Sequence, residues 1–163
     1  MIFVTVGTHE QQFNRLVEYM DKWSLDNDED VVIQTGFSTY QPVNCTWKKL
    51  YPYSEMVENM KQARIVITHG GPSSFIMALQ YGKVPVVVPR KKEFKEHVND
   101  HQADFCNELK ARDGSIIVVN DINELGSIIS SYDEIVSGMN GGISSNNEYF
   151  CCEFGKVIND LLE

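Results

Sequence analysis

Short apolar runs alternate with stretches of helical periodicity along most of the chain. Runs rich in Val and Ile predict strands at residues 2–6, 31–36, 64–68, 85–89 and 115–119. Apolar residues at three- and four-residue spacing predict helices at residues 13–20, 54–63, 75–82, 98–109 and 122–129. The strands are apolar throughout, which is typical of a parallel sheet covered by helices on both faces. The pattern therefore predicts a single doubly wound, Rossmann-like α/β domain.

Several predicted helices carry capping signals. Ser54 is the expected N-cap of the second helix, and Ser73 or Ser74 would cap the third in any fold. Asn99 with Gln102 three residues later resembles a capping box. The third helix is expected to end at a glycine, residue 82. For Ser73, Ser74 and Gln102 the capping role competes with a role in binding.

Two parts of the chain do not follow the alternation. Residues 37–53 contain Pro42 and Pro52 and predict an irregular segment. Residues 138–147 are rich in Gly, Ser and Asn and predict a flexible linker. The apolar face of a following amphipathic helix consists of Phe150, Phe154, Val157, Ile158, Leu161 and Leu162. We therefore predict a domain at 1–137 and a linker with a C-terminal helix at 138–163, the helix packing either on its own domain or on a partner.

Composition and charge narrow the class of protein. A length of 163 residues with 42% hydrophobic residues suffices for one domain with its own core. The net charge of −9 argues against nucleic acid or a bare anionic membrane as the main partner. The cysteines lack CxxC spacing, and His9, His97 and His101 lack the spacing of a metal site, so no metal is expected. Without a signal-peptide pattern or the ~20 apolar residues of a spanning helix, we expect a cytoplasmic protein with no transmembrane segment of its own.

The turn after the third predicted strand is suited to an anion. The sequence His69-Gly70-Gly71-Pro72-Ser73-Ser74 joins an apolar strand to a helix. Glycines let backbone amides come close to a ligand, serines offer hydroxyl groups, and a helix N-terminus carries partial positive charge. In a parallel sheet this turn meets the loops after residues 6 and 88 at one edge. A phosphate group is the expected ligand, and the absence of GxGxxG and Walker A motifs disfavours dinucleotides and P-loop chemistry.

Each candidate residue also has a structural interpretation. The two glycines can form a tight turn, and His69 can be a hydrogen-bonded turn residue. Gln102 can do no more than close its capping box with Asn99. Arg90 begins a basic loop that is either solvated or in contact with a diphosphate or a lipid head group. These alternatives stay open on the sequence alone.

The motif HGGPSS, followed by GKVPVVVPR and EHVNDHQ, resembles the sugar-nucleotide-binding half of the GT-B glycosyltransferases. The resemblance covers most of residues 1–125 and points to the carboxyl-terminal domain of glycosyltransferase family 28. The start MIFVTVGTHEQQFNRL and the stretch PRKKEFKEHVNDHQ are similar to the small bacterial exopolysaccharide and capsule subunits of the PssE type. These subunits are similar to the catalytic half of a split N-acetylglucosaminyltransferase.

The resemblance implies roles for the matching residues. The pyrophosphate of a UDP-sugar would be held by His69, Gly70, Gly71, Ser73 and Ser74. Gly7 and Thr8 would form the adjacent loop, and Arg90 would lie beside the diphosphate. Gln102 would reach the transferred sugar. The sequence departs from the superfamily at Met77, where a ribose-binding Glu is expected, because a thioether is a poor hydrogen-bond acceptor.

The resemblance also implies a function that needs two chains. The protein would be the donor-binding subunit of a two-component glycosyltransferase, transferring a hexose, by expectation galactose, from a UDP-sugar to a polyprenyl-diphosphate-linked saccharide in capsule or exopolysaccharide synthesis. A membrane-associated PssD-type partner would supply the acceptor-binding half and recruit this chain to the inner face of the membrane. No cofactor is expected beyond the donor substrate, and His9 is the candidate catalytic base. The alternative is a non-catalytic accessory protein that stabilises or enhances a partner transferase.

Overall fold

The computed structural model describes residues 1–139. The strands are β1 (Ile2–Thr5), β2 (Val31–Gln34), β3 (Thr46–Lys48), β4 (Ile65–His69), β5 (Val86–Val88) and β6 (Ile117–Val118). The helices are α1 (Asn14–Trp23), α2 (Tyr53–Gln62), α3 (Pro72–Gln80), α4 (His101–Asp113), α5 (Leu125–Ser130) and α6 (Tyr132–Gly138). Short 3-10 turns occur at Ser24–Asp26, Lys92–Phe94 and Ile122–Glu124. Within residues 1–139 no helix combines the length and the apolarity needed to cross a bilayer.

The strands form one parallel sheet in the order β3-β2-β1-β4-β5-β6. Strand β1 lies inside the sheet, with Val4 opposite Ile33 on one side and Ile67 on the other. From β1 the chain adds strands on one side as far as β3 and then returns to build the other side from β4 onward. The two connections leave the carboxyl ends of β1 and β4 in opposite directions, which opens a crevice between them. The predicted doubly wound fold is confirmed.

Both faces of the sheet are buried. On one face Val4 and Ile67 pack with residues of α1, α5 and α6 such as Leu16. On the other face Phe3 and Val66 pack with residues of α2 and α3, and β5 and β6 pack with residues of α3 and α4. Burial on both sides explains why the strands read as unbroken apolar runs.

The segment predicted to be irregular contains an edge strand. Strand β3 pairs with β2 alone and buries part of Trp47, while Thr46 and Lys48 on either side are exposed. Three residues with a polar-apolar-polar pattern give too short a signal to separate from a loop. The segment before it is fixed by Asp21, which is buried in α1 and accepts hydrogen bonds from Tyr40 Oη at 2.8 Å and from the Asn44 amide at 2.8 Å.

The predicted caps at the starts of the helices are wrong. Helix α2 begins one residue before Ser54, with Pro52 at the N-cap. Gly71 takes the N-cap position of α3, and neither following serine caps it through its side chain. No capping box forms at α4, because the helix begins at His101 after Asp100. The glycine expected to end α3 does so, since residue 82 has a φ of 71° immediately after Tyr81 at the C-cap.

The predicted division of the chain at residue 137 stays a prediction. Helix α6 extends to Gly138 and makes contact with the core through Tyr132. The predicted linker beyond residue 139 and the predicted C-terminal helix at 150–162 lie outside the described residues.

Candidate functional site

A crevice of about 810 Å³ opens at the carboxyl edge of the sheet, between the loops that follow β1 and β4. Its polar lining consists of Thr5, Gly7, Thr8, His9, Gln34, His69, Gly71, Ser73, Ser74, Gln80 and Gln102. Its apolar lining consists of Leu50, Tyr51, Tyr53, Met56, Met60 and Met77. The fold therefore brings together most of the residues predicted to bind the donor, although Gly70 and Arg90 do not line the crevice.

The His69 ring is packed against two glycines. A Cβ on Gly7 would lie 2.4 Å from His69 Nε2, and a Cβ on Gly71 would lie 2.2 Å from its Cε1. Carbon atoms in contact stay about 3.5–4.0 Å apart, so neither position accepts a side chain while the ring is in place. Gly7 also has a φ of 75°, in the region that favours glycine. These glycines therefore make room for the imidazole, a role separate from letting the backbone come close to a ligand.

Hydrogen bonds fix the protonation pattern of His69. The Gly71 amide donates to Nδ1 at 3.0 Å, so the proton of the neutral ring lies on Nε2. Nε2 lies 2.9 Å from Ser74 Oγ and donates to it. Burial, together with the nearby positive charge of Arg90, lowers the pKa of His69 to about 4, although the Gln102 carboxamide beside it acts in the opposite direction. The ring is therefore neutral at physiological pH.

Two glycine amides that line the crevice, one in the turn expected to hold the phosphate and one in the adjacent loop, are used within the protein. The Gly7 amide donates to Thr5 Oγ1 at 3.2 Å, and the Gly71 amide donates to His69. Pro72 has no N–H, so the first amide of α3 that a ligand can use is that of Ser73. The anion-binding capacity of this turn thus comes from the helix end and the serine hydroxyls, and less from the glycines.

Gly70 lies behind the crevice wall. A Cβ there would lie 2.9 Å from Gln102 Cβ and 3.1 Å from Cys106 Sγ. Cys106 is fully buried, and its pKa is raised by burial to about 11. Gly70 therefore allows α4 to pack closely on the turn, and its Cα faces protein instead of the crevice.

Arg90 does not reach the crevice, and the expectation that it lies beside the diphosphate needs correction. Its side chain is fully buried, Nη2 donates to the Val6 carbonyl at 2.8 Å, and Nη1 donates to the carbonyls of Gln11, Gln12 and Glu96. The Glu96 carboxylate is itself buried and pairs with Arg15 at 2.9 Å. Arg90 ties the loop after β1 to the loop after β5. Burial lowers its pKa to about 10, so it remains a cation beneath the site.

Gln102 stands at the crevice in a fixed orientation. Its Oε1 accepts the Arg90 amide at 3.2 Å, which directs the NH₂ group away from that amide. Gln102 therefore does not cap α4, and its side chain is held in place by the Arg90 amide. It can offer amide donors to a ligand in the crevice.

His9 lines the crevice and lies beside a second histidine. The ring centroids of His9 and His97 are 5.1 Å apart. The Gln11 amide donates to His9 Nδ1 at 3.2 Å, so the neutral ring carries its proton on Nε2. Burial lowers the pKa of His9, and Arg90 and His97 lower it further. In this state His9 is a hydrogen-bond donor, and its role as a catalytic base stays a prediction.

Some residues of the crevice were missed by the sequence analysis. Gln34 ends β2, accepts the Tyr51 amide at 2.9 Å through Oε1, and donates to Thr5 Oγ1 at 3.1 Å through Nε2. A polar residue at the carboxyl end of an otherwise apolar strand was the available signal for Thr5 and Gln34. The apolar wall at residues 50–60 carried no such signal, because it comes from the irregular residues after β3 and from α2.

Comparison with a solved structure supports the fold. The chain aligns with the glycotransferase of kitacinnamycin at 17% identity and a TM-score of 0.51, covering 83% of this chain and 37% of that one. It aligns with the glycosyltransferase SnogD from Streptomyces nogalater at 16% identity and a TM-score of 0.46, covering 93% of this chain and 43% of that one. The chain thus spans less than half the length of these two proteins.

Sequence comparison identifies the family. No curated protein matches the chain significantly. The model of the glycosyltransferase family 28 C-terminal domain matches residues 1–136, which include all six strands described above and the whole crevice. The chain therefore belongs to the glycosyltransferase family 28 C-terminal domain family.

Proposed function

We propose that this chain is the donor-binding half of a two-component glycosyltransferase, using a UDP-sugar as donor. The observation that carries the proposal is the crevice at the carboxyl ends of β1 and β4, within a domain of glycosyltransferase family 28 type. A membrane-associated partner chain would contribute the acceptor-binding half and bring this chain to the inner face of the membrane. The transferred sugar would be a hexose, galactose in our proposal, and the acceptor a polyprenyl-diphosphate-linked saccharide of capsule or exopolysaccharide synthesis.

The polar side of the crevice supports a diphosphate as ligand. The Ser73 amide is the first free donor at the N-terminus of α3, and the serine hydroxyls of the same turn line the crevice. The neutral ring of His9 offers a further donor through Nε2. Arg90 lies beneath these groups as a buried cation, and its charge adds to the effect of burial, which is the main cause of the lowered pKa of both His9 and His69. Donors over a buried positive charge favour an anionic ligand.

The apolar side supports a nucleoside next to the diphosphate. Leu50 and Tyr53 are exposed at the rim, and Met56 and Met77 line the interior. Exposed apolar side chains around a crevice are typical of a binding surface. A pyrimidine ring fits such a wall through its faces, and its polar edge can meet backbone groups.

The main contribution of this chain to the reaction would be to stabilise the leaving group. The acceptor hydroxyl oxygen attacks the anomeric carbon, the bond from that carbon to the diphosphate oxygen breaks, and UDP departs with the electron pair. Donors at the diphosphate stabilise the charge that develops on it. The acceptor proton passes to a base on the partner half, because the neutral His9 ring carries a hydrogen on Nε2 and its Nδ1 already accepts the Gln11 amide.

Met77 favours a second candidate function. It lines the crevice where the superfamily resemblance predicts a ribose-binding carboxylate, and its thioether cannot replace that acceptor. A chain that keeps the fold and binds no nucleotide would act as an accessory protein for a partner transferase. Transfer assays on the co-expressed pair distinguish the two functions, because Ser73→Ala and Ser74→Ala should reduce transfer only if this crevice holds the donor.

Titration calorimetry with UDP tests the donor-binding proposal directly. We expect UDP to bind and Ser73→Ala or Ser74→Ala to weaken it, whereas Ser127→Ala on α5 should leave it unchanged, because the Ser127 hydroxyl bonds to the Glu124 carbonyl away from the crevice. Comparing UDP-galactose, UDP-glucose and UDP-N-acetylglucosamine in the same titration tests which sugar the donor carries. A failure of UDP to bind both to the chain alone and to the chain with its partner would disprove the proposal.

A further inference from the structure

The His69 imidazole is held in a single orientation by packing and by two hydrogen bonds. It is only 8% exposed, and the backbone of Gly7 and of Gly71 lies directly against it. One nitrogen accepts the Gly71 amide and the other lies 2.9 Å from Ser74 Oγ. Both polar atoms of the ring are therefore used inside the protein, which leaves the imidazole no nitrogen to offer a ligand directly.

The direction of these bonds follows from the amide. A backbone N–H can only donate, so Nδ1 must be the unprotonated nitrogen of a neutral ring and Nε2 must carry the hydrogen. Ser74 Oγ is then the acceptor of the Nε2–H bond. Among the described residues no acceptor is found for the Ser74 hydroxyl hydrogen itself, and Ser74 lines the crevice.

We propose that His69 is a positioning residue that accepts the Gly71 amide, donates to Ser74 Oγ, and thereby sets the Ser74 hydroxyl to donate to a diphosphate oxygen in the crevice. The identity of the ligand rests on the proposed function, whereas the hydrogen-bond pattern does not. The burial of His69 lowers its pKa to about 4 and keeps the ring neutral, as this arrangement requires. A protonated ring would carry a hydrogen on Nδ1 and repel the Gly71 amide.

A double-mutant cycle separates positioning from direct contact. Asparagine at 69 keeps an acceptor near the Nδ1 position but cannot reach Ser74, whereas glutamine places an amide donor near the Nε2 position. We expect Ser74→Ala to weaken UDP binding by about 10- to 100-fold and His69→Asn by about 3- to 10-fold, because one hydrogen bond to a charged group and its alignment are lost. His69→Gln should retain affinity within about 3-fold of the unmodified chain, since the donor to Ser74 is kept.

The decisive comparison is His69→Asn in the Ser74→Ala background. If His69 acts through Ser74, this second substitution weakens UDP binding by less than about 2-fold, because the group it positions is already gone. An equal loss in both backgrounds would mean that the ring contacts the nucleotide itself, and it would overturn the proposal. Circular dichroism and thermal melting of each variant confirm that the compared proteins are folded.

Nitrogen-15 NMR of the histidine side chains tests the hydrogen-bond pattern without any ligand. At pH 7 the His69 ring should show an unprotonated Nδ1 and a protonated Nε2, and Ser74→Ala should shift the Nε2 resonance. A hydrogen on Nδ1, or an Nε2 resonance insensitive to Ser74→Ala, would overturn the proposal. If UDP binds neither to the unmodified chain nor to the chain with its partner, the proposed function fails, and this NMR result alone decides whether His69 positions Ser74.

Discussion

Replacing Gly71 by alanine tests whether the glycines of the crevice serve the His69 ring. The new Cβ would lie 2.2 Å from His69 Cε1 and 2.8 Å from Nδ1, so the ring must move by more than about 1 Å to restore contact distances. The φ of Gly71 is −76°, which alanine adopts without strain, so the cost is steric alone. Movement of the ring stretches its hydrogen bonds to Gly71 and Ser74.

The magnitude follows from these two effects. Overpacking a filled site costs about 1–3 kcal/mol, and the two hydrogen bonds add about 0.5–1.5 kcal/mol each. We therefore expect Gly71→Ala to lower the free energy of unfolding by about 2–6 kcal/mol. Little relaxation is available, because Gly7 lies against the same ring with its Cβ position 2.4 Å from Nε2.

Denaturant unfolding at pH 7 measures this free energy, with two further variants as controls. Gly82→Ala places a Cβ in open space at a φ of 71°, so it should cost only the backbone strain of about 1–2 kcal/mol. In the double variant Gly71→Ala/His69→Ala the obstructing ring is gone, so the double variant should be about as stable as His69→Ala alone. A loss of less than about 1 kcal/mol for Gly71→Ala, or simple additivity in the double variant, would refute the steric reasoning.

Three further predictions concern buried ionisable groups. Asp21→Ala should lower the free energy of unfolding by about 2–4 kcal/mol, because the Tyr40 hydroxyl and the Val43 and Asn44 amides lose their acceptor. Burial alone would raise the pKa of Asp21, but these hydrogen bonds lower it. The difference in unfolding free energy between the unmodified chain and Asp21→Ala should therefore shrink below about pH 4. A difference that does not change with pH would contradict this prediction. Arg90→Met should destabilise the fold by about 3–5 kcal/mol, because four carbonyls lose their donor. The neighbouring Lys91→Met serves as the control and should cost little. A stable Arg90→Met protein with impaired UDP binding would instead support a direct contact between Arg90 and UDP. Since the pKa of His69 falls to about 4 on folding, the unfolded chain takes up the proton first as the pH drops. The free energy of unfolding should therefore decline by about 3 kcal/mol between pH 6.5 and pH 4. In His69→Gln this part of the pH dependence should be absent, and an unchanged pH dependence would show that the ring is not buried as a neutral group.

The sequence determined the fold class because that information is local. Five of the strands appear as apolar runs, and their burial on both faces of the sheet is the reason for that pattern. The turn from β4 through His69 into α3 was also visible, because a strand, a glycine pair and a helix start are adjacent in the chain. Strand β3 escaped detection, since three residues at a sheet edge carry too little periodicity.

The tertiary structure decided what each candidate side chain does. Arg90 looks like a solvent-exposed basic residue in the sequence, but its guanidinium donates to the carbonyl of Val6, 84 residues away. The same applies to Gln102, whose orientation depends on the Arg90 amide, and to Gly7, whose missing side chain leaves space for His69. Hydrogen-bond partners and contact distances between segments far apart in the chain have no local pattern. Sequence periodicity could therefore place these residues at one edge of the sheet, while only the folded chain determined which of them face the crevice and which hold it together.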